Sequence, residues 1–223
     1  MKMKFINLKK EIEKLKTRLW WFYSFKIEDE SISKISKEAA TLIGIKPFKN
    51  IRVSSKFRMA NAAVVGFRCR TVVLTRTLLE LLNVDELKAV FLHEYAHCKL
   101  KHQLKLMVIS ISLLLGAALF DMYVILTLES EVIALGISIP LLISFYILIL
   151  ILSRFITKRF ELEADCLAIS KLGNPFVFID ILKKIRAVNG EVRGWKAIIS
   201  PHPPIDVRIT SLFSCLDRVK QNN

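Results

Sequence analysis

The sequence predicts a mainly helical α+β fold with a small antiparallel sheet, interrupted by a two-helix membrane hairpin. Three observations carry this. The chain of 223 residues is 53% hydrophobic, yet it holds 34 Lys and Arg against 20 Asp and Glu, a net charge of +14. The two properties are segregated: residues 106–152 contain no Lys or Arg and only three acids, Asp121, Glu129 and Glu131, which leaves a net +17 on the remainder. One short run of β-type residues, between 51 and 74, stands among segments of helical character. The apolar content excludes a disordered chain. The length of the uncharged run excludes an ordinary soluble domain.

Residues 1–26 carry eight Lys and Arg against two Glu. Phe5, Leu8, Ile12, Leu15, Leu19 and Phe22 recur at steps of three and four, the pattern of a basic amphipathic helix. No uninterrupted apolar stretch follows, so it reads as neither signal peptide nor span. It either lies on an anionic membrane surface or docks on the main domain. Residues 30–43 read as a second helix that stops before Gly44. Strands are expected at Ile51–Val53, Ala62–Val65 and Thr71–Leu74, with Gly66 and Arg68–Arg70 turning between the last two. Asn83 is the expected N-cap of the next helix, with Asp85 and Glu86 in its first turn.

Leu106–Leu128 and Val132–Leu152 are each long enough to cross a hydrocarbon core of about 30 Å. The short Glu129–Glu131 connection makes them a hairpin. Lys99, Lys101 and Lys105 precede the first span, and Arg154, Lys158 and Arg159 follow the second. The positive-inside rule then puts both hydrophilic parts, residues 27–105 and 153–223, in the cytoplasm, on the inner side of the cell membrane. Cys69, Cys98, Cys166 and Cys215 form no C-x-x-C pair; they suggest no disulfide framework, and outside the spans they are expected to be reduced.

The chemistry is carried by His93-Glu94-Tyr95-Ala96-His97, an H-E-x-x-H motif on a predicted helix. Spacing of i and i+4 puts both imidazoles on one face, where they can hold one zinc ion, with Glu94 placed as general base. Two surface histidines on a helix would look the same. A catalytic zinc needs a third ligand, and Glu161-Leu162-Glu163-Ala164-Asp165 supplies candidates. Glu161 and Asp165 share a helical face, while Glu163 points roughly the other way. His97 lies nine residues before the first span and Glu161 nine after the second, so continuous helices would carry both to about 14 Å above one membrane edge. A solvated acidic helix face is the alternative for this string. His102 reads as a helix-surface histidine near the headgroups.

With Asn61-Ala62, the H-E-x-x-H helix, the E-x-x-x-D string and His202-Pro203-Pro204-Ile205-Asp206-Val207-Arg208 in that order, the chain resembles the HtpX-type integral-membrane zinc metalloproteases. These are gluzincin-like relatives of the prenyl-protein endopeptidases. The resemblance implies a zincin-like catalytic domain and one Zn2+ per chain. It implies His93, His97 and Glu161 as ligands, Glu94 as base, and Asp165 as the partner that orients a ligating histidine. His202 would stabilise the developing oxyanion. Arg208 would contact substrate or anchor its segment, unless both belong to a Pro-rich turn capping the last helix. Asn61 and Ala62 would pair with an extended substrate.

The function this implies is a membrane zinc endopeptidase acting on unfolded or misassembled membrane proteins at the cytoplasmic side. Members of the group usually carry spans before the catalytic helix and this sequence shows none, so a closed many-helix chamber for prenylated C-termini is disfavoured. A non-catalytic metallo-sensor is the rival from another class, and the presence of Glu94 argues against it. No nucleic-acid-binding module is found; lipid and topology account for the positive charge.

Overall fold

The computed structural model describes residues 24–128, 130–191 and 194–221. The expected basic helix lies outside these residues except for its last three, Ser24–Lys26, which form a strand, β1. Helix α1 (Glu30–Ile43) begins where Asp29 accepts from the Ile32 amide at 3.0 Å and ends at Gly44, whose φ of 75° is the left-handed conformation glycine adopts without strain. Strands β2 (Asn50–Ser54), β3 (Ala62–Val65) and β4 (Thr71–Thr75) follow as expected.

The sheet corrects the sequence reading in one respect: it is mixed, in the order β1-β2-β4-β3. β3 and β4 form the anticipated antiparallel hairpin, but β2 pairs with β4 in parallel, Ile51 opposite Val72 and Val53 opposite Leu74. Residues 55–61 carry the chain past the β4 position, so β4 returns between its two predecessors and β3 becomes an edge.

A short helix α2 (Arg76–Leu81) leads to α3 (Val84–Lys99), which bears the H-E-x-x-H motif. Its start is a full capping box: Asn83 accepts from the Glu86 amide at 3.0 Å, and Glu86 accepts from the Asn83 amide at 2.9 Å. Such a cap is worth about 1 kcal/mol. Phe91, Leu92 and Tyr95 of α3 are fully buried, in one core with Ala39 and Ala40 of α1 and Val72 and Leu74 of β4.

Helices α4 (His102–Thr127) and α5 (Glu131–Leu172) form the hairpin. Both are long and apolar enough to cross a membrane, and only 11% of the most apolar stretch of each is buried in the protein. Helices in the core of a soluble protein would be covered, so this is a membrane protein. Asp121 is buried rather than turned to lipid. α5 continues unbroken from the second span through the Glu161 string, whereas α3 and α4 are separated by a break at Leu100–Lys101, where Lys101 takes φ 56° and ψ 35°. The expected continuous helix therefore exists for Glu161 and not for His97. Helices α6 (Pro175–Asn189), α7 (Trp195–Ile199) and α8 (Ile205–Gln221) complete the fold.

All four cysteines are paired, Cys69 with Cys98 and Cys166 with Cys215, with Cα–Cα distances of 5.9 and 5.7 Å. Partners 29 and 49 residues apart leave no local spacing signal, which is why no framework was expected.

Candidate metal centre

Two helices build the site. On α3, Tyr95 points away from the motif's working face: its hydroxyl lies 2.7 Å from Ser36 Oγ, accepts from the Phe48 amide at 2.9 Å, and its ring stacks on Phe48 at 4.0 Å. Fixing that face aims His93, Glu94 and His97 at α5, which crosses opposite them. The Nε2 atoms of His93 and His97 are 3.1 Å apart. Glu161 Oε1 lies 3.2 Å from His97 Nε2, and its Oε2 lies 3.8 Å from His93 Nε2. One donor atom from each of the three residues falls within 4.8 Å of the others.

The far nitrogens are also engaged. His93 Nδ1 is 2.9 Å from Asp165 Oδ1. Asp165 in turn accepts two hydrogen bonds from Arg208, Nε to Oδ2 at 2.7 Å and a terminal nitrogen to Oδ1 at 2.6 Å. The sequence placed Arg208 at substrate or as an anchor; the structure puts it on Asp165 at the margin of the cleft. His202 Nδ1 is 2.7 Å from Glu161 Oε2 on a half-exposed side chain.

Electrostatics follow from this packing. Burial works to raise the Glu161 carboxyl, but the charge of and hydrogen bond from His202, the hydrogen bond from His97 and the charge of His93 hold it well below the usual carboxylate value. Burial also opposes ionisation of Asp165, and Arg208 with His93 outweighs it. His97 is pushed down by burial and up, by more, by Glu161, Glu94 and Asp165. His93, His97 and Glu161 each offer one ligand atom, and these atoms lie within 4.8 Å of one another. Two imidazoles and one carboxylate are the donor set of a catalytic zinc site with an open position, so these residues fit that ion.

His102 was misread. It is 3% exposed, and its Nδ1 lies 3.0 Å from His97 Nδ1 while its Nε2 lies 3.3 Å from Glu163 Oε2. Burial, with the nearby charges of His97 and Lys105, pushes it down to about 4 despite Glu163. An i+5 residue on a continuous helix would not turn back to His97; the break at Lys101 allows it, and no Gly or Pro marks that break.

A cleft of about 470 Å3 opens over His93, Glu94 and Glu161. Phe178, Ile181 and Leu182 give it an apolar wall, His202 stands at its rim, and Asn61 and Ala62 bring the edge strand β3 to it. Asn189 holds that approach by pairing with both backbone groups of Ala60, at 2.8 and 2.9 Å.

The family model described as peptidase family M48 matches residues 26–215. Among solved structures, the crystal structure of S. mikatae Ste24p superposes with a TM-score of 0.69 at 19% identity, over 94% of this chain. This chain spans 56% of that one, and at such identity the likeness is one of fold. No curated protein matches in sequence.

Proposed function

Because the chain belongs to peptidase family M48, we propose that it is a zinc-dependent endopeptidase anchored by its two-helix hairpin. One observation carries the reading: His93, His97 and Glu161 converge, and His93 and Glu161 share with Glu94 the floor of a cleft whose rim is a sheet edge. In this reading the three residues hold one zinc ion per chain, and Asp165, held by Arg208, fixes the ring of His93. A bound zinc ion supplies Lewis acidity and lowers the pKa of water to about 7. Glu94 takes the proton from the attacking water and returns it to the leaving amine. His202, half-exposed at the rim with its Nδ1 on Glu161, donates to the carbonyl oxygen as negative charge develops there. An extended substrate adds to β3 at Ala62, in main-chain hydrogen bonds indifferent to sequence; farther along, the Val64 carbonyl already accepts from Gln103 at 2.8 Å. The apolar wall takes a bulky apolar side chain next to the scissile bond.

Strand addition needs a segment that is not already folded, so locally unfolded protein is the substrate class. Glu161 stands nine residues beyond Leu152 on an unbroken helix, about 14 Å from the hydrocarbon edge. That height favours loops and tails of damaged membrane proteins, a quality-control role, with cuts outside the bilayer. Lys- and Arg-rich flanks at the same edge favour the cytoplasmic side. The two cysteine pairs favour the opposite, oxidising side. A prenylated C-terminal peptide is also compatible with this family and cleft.

The test uses detergent-purified protein against unfolded casein, a prenylated peptide, and membrane reporters whose cleavable linkers are graded in length. Chelator-sensitive cleavage of casein and of membrane-proximal linkers is expected. Chelator-insensitive cleavage, or cuts within the span, would overturn the reading.

A further inference from the structure

Each ligating histidine must be held by the nitrogen it does not give to the metal, because that hydrogen bond fixes tautomer and ring plane. His93 Nδ1 has the Asp165 carboxylate 2.9 Å away, a close ion-pair contact rather than an aligned hydrogen bond. Among the described residues, the group at His97 Nδ1 is not a carboxylate but His102, at 3.0 Å. We propose that His102, anchored by Glu163, is the positioning residue for His97, so that the second ligand is oriented by a histidine–carboxylate relay rather than by a carboxylate directly.

The proton assignment follows from the ends of the chain. His97 Nε2 faces the cluster, so its Nδ1 carries the proton and donates. His102 Nδ1 therefore accepts, which leaves the proton of the neutral ring on Nε2, where the Glu163 carboxylate accepts it at 3.3 Å. Three features hold this geometry. The His102 ring stacks flat on Phe160, with centroids 4.3 Å apart and planes 2° from parallel. Arg159 lies 3.4 Å from the other Glu163 oxygen. Lys101, in the left-handed region, turns α4 so that its first residue lies over the last turn of α3. Phe160 and Glu163 flank Glu161 on α5, so the helix that supplies the third ligand also anchors the support of the second. This rests on the zinc reading above.

The test is zinc affinity, measured on the full chain in detergent by competition with a chromophoric chelator, and Co2+ absorption in the same variants. His102→Phe keeps a flat ring on Phe160 and removes both nitrogens. His102→Gln puts a polar atom near the Nε2 position, toward Glu163. His102→Asn puts an acceptor oxygen near the Nδ1 position, toward His97. His102→Phe and His102→Gln are expected to bind zinc about 10–100-fold more weakly with an altered Co2+ spectrum, while His102→Asn stays close to wild type. Wild-type affinity in His102→Phe would overturn the proposal, as would equal affinities in His102→Asn and His102→Gln. That second comparison decides even if His102→Phe fails to fold. Absence of zinc binding in the wild type would overturn the site reading itself, a separate outcome.

Discussion

Arg208 grips Asp165 with two hydrogen bonds of 2.7 and 2.6 Å, and so joins the segment carrying His202 to the helix carrying Glu161. Asp165 is 1% exposed, and its other neighbour is His93. One buried ion pair thus ties together His93, the helix that carries Glu161 and the rim at His202.

Removing one member of such a pair leaves a buried charge unpaired. Arg208→Ala is expected to destabilise the protein by about 3–5 kcal/mol. Arg208→Lys, which keeps the charge and loses the fork, should cost less while still weakening zinc binding. Thermal unfolding with chelator titration measures both. Equal stability of Arg208→Ala and wild type would show that the pair holds nothing in place.

Ligation gives a sharper contrast. Glu161→Ala should lose zinc outright, whereas Asp165→Ala should weaken binding about 10–100-fold. Metal content after dialysis against a weak chelator distinguishes them. Zinc retained by Glu161→Ala would move the third ligand elsewhere.

The pH dependence should differ between the metal-free and zinc-loaded protein. Glu161 and Asp165 lie below their ordinary values of 4.5 and 3.8, so their contribution is complete above those values and is lost as pH falls through the lower folded ones. His97 lies above its ordinary 6.5, so its contribution is complete below 6.5 and fades as pH rises through the folded value. The metal-free protein should draw most from these groups between pH 4.5 and 6.5. Zinc must displace the His97 proton, so affinity should rise with pH through that raised value and then level. Titration calorimetry in buffers of different ionisation enthalpy reads the released protons. No proton release near pH 6.5 would contradict the assignment.

The cysteines test the side of the membrane. A cytoplasmic domain predicts free thiols at Cys69, Cys98, Cys166 and Cys215 when intact cells are lysed into a maleimide reagent. A domain on the oxidising side predicts two intact bridges, each worth about 2–4 kcal/mol. Full protection from labelling would reverse the proposed orientation.

The parts legible in the sequence were local. Asn83 with Glu86, Gly44, the His93–His97 spacing and the uncharged run each state their structure within a few residues. The parts that were not legible depend on remote partners. Nothing near Ile51 says that it pairs in parallel with Val72, and nothing near Cys69 names Cys98. The role of His102 depends on a left-handed turn at a lysine, a conformation that lysine rarely signals.

The most direct test is the cleavage rate of Glu94→Gln with bound zinc counted in the same sample. The three ligands are untouched by this change, so one zinc per chain should remain while cleavage of unfolded casein falls by about 10²–10⁴. Wild-type cleavage by the zinc-loaded variant would contradict the assignment of Glu94 as the base, and with it the endopeptidase reading of this site.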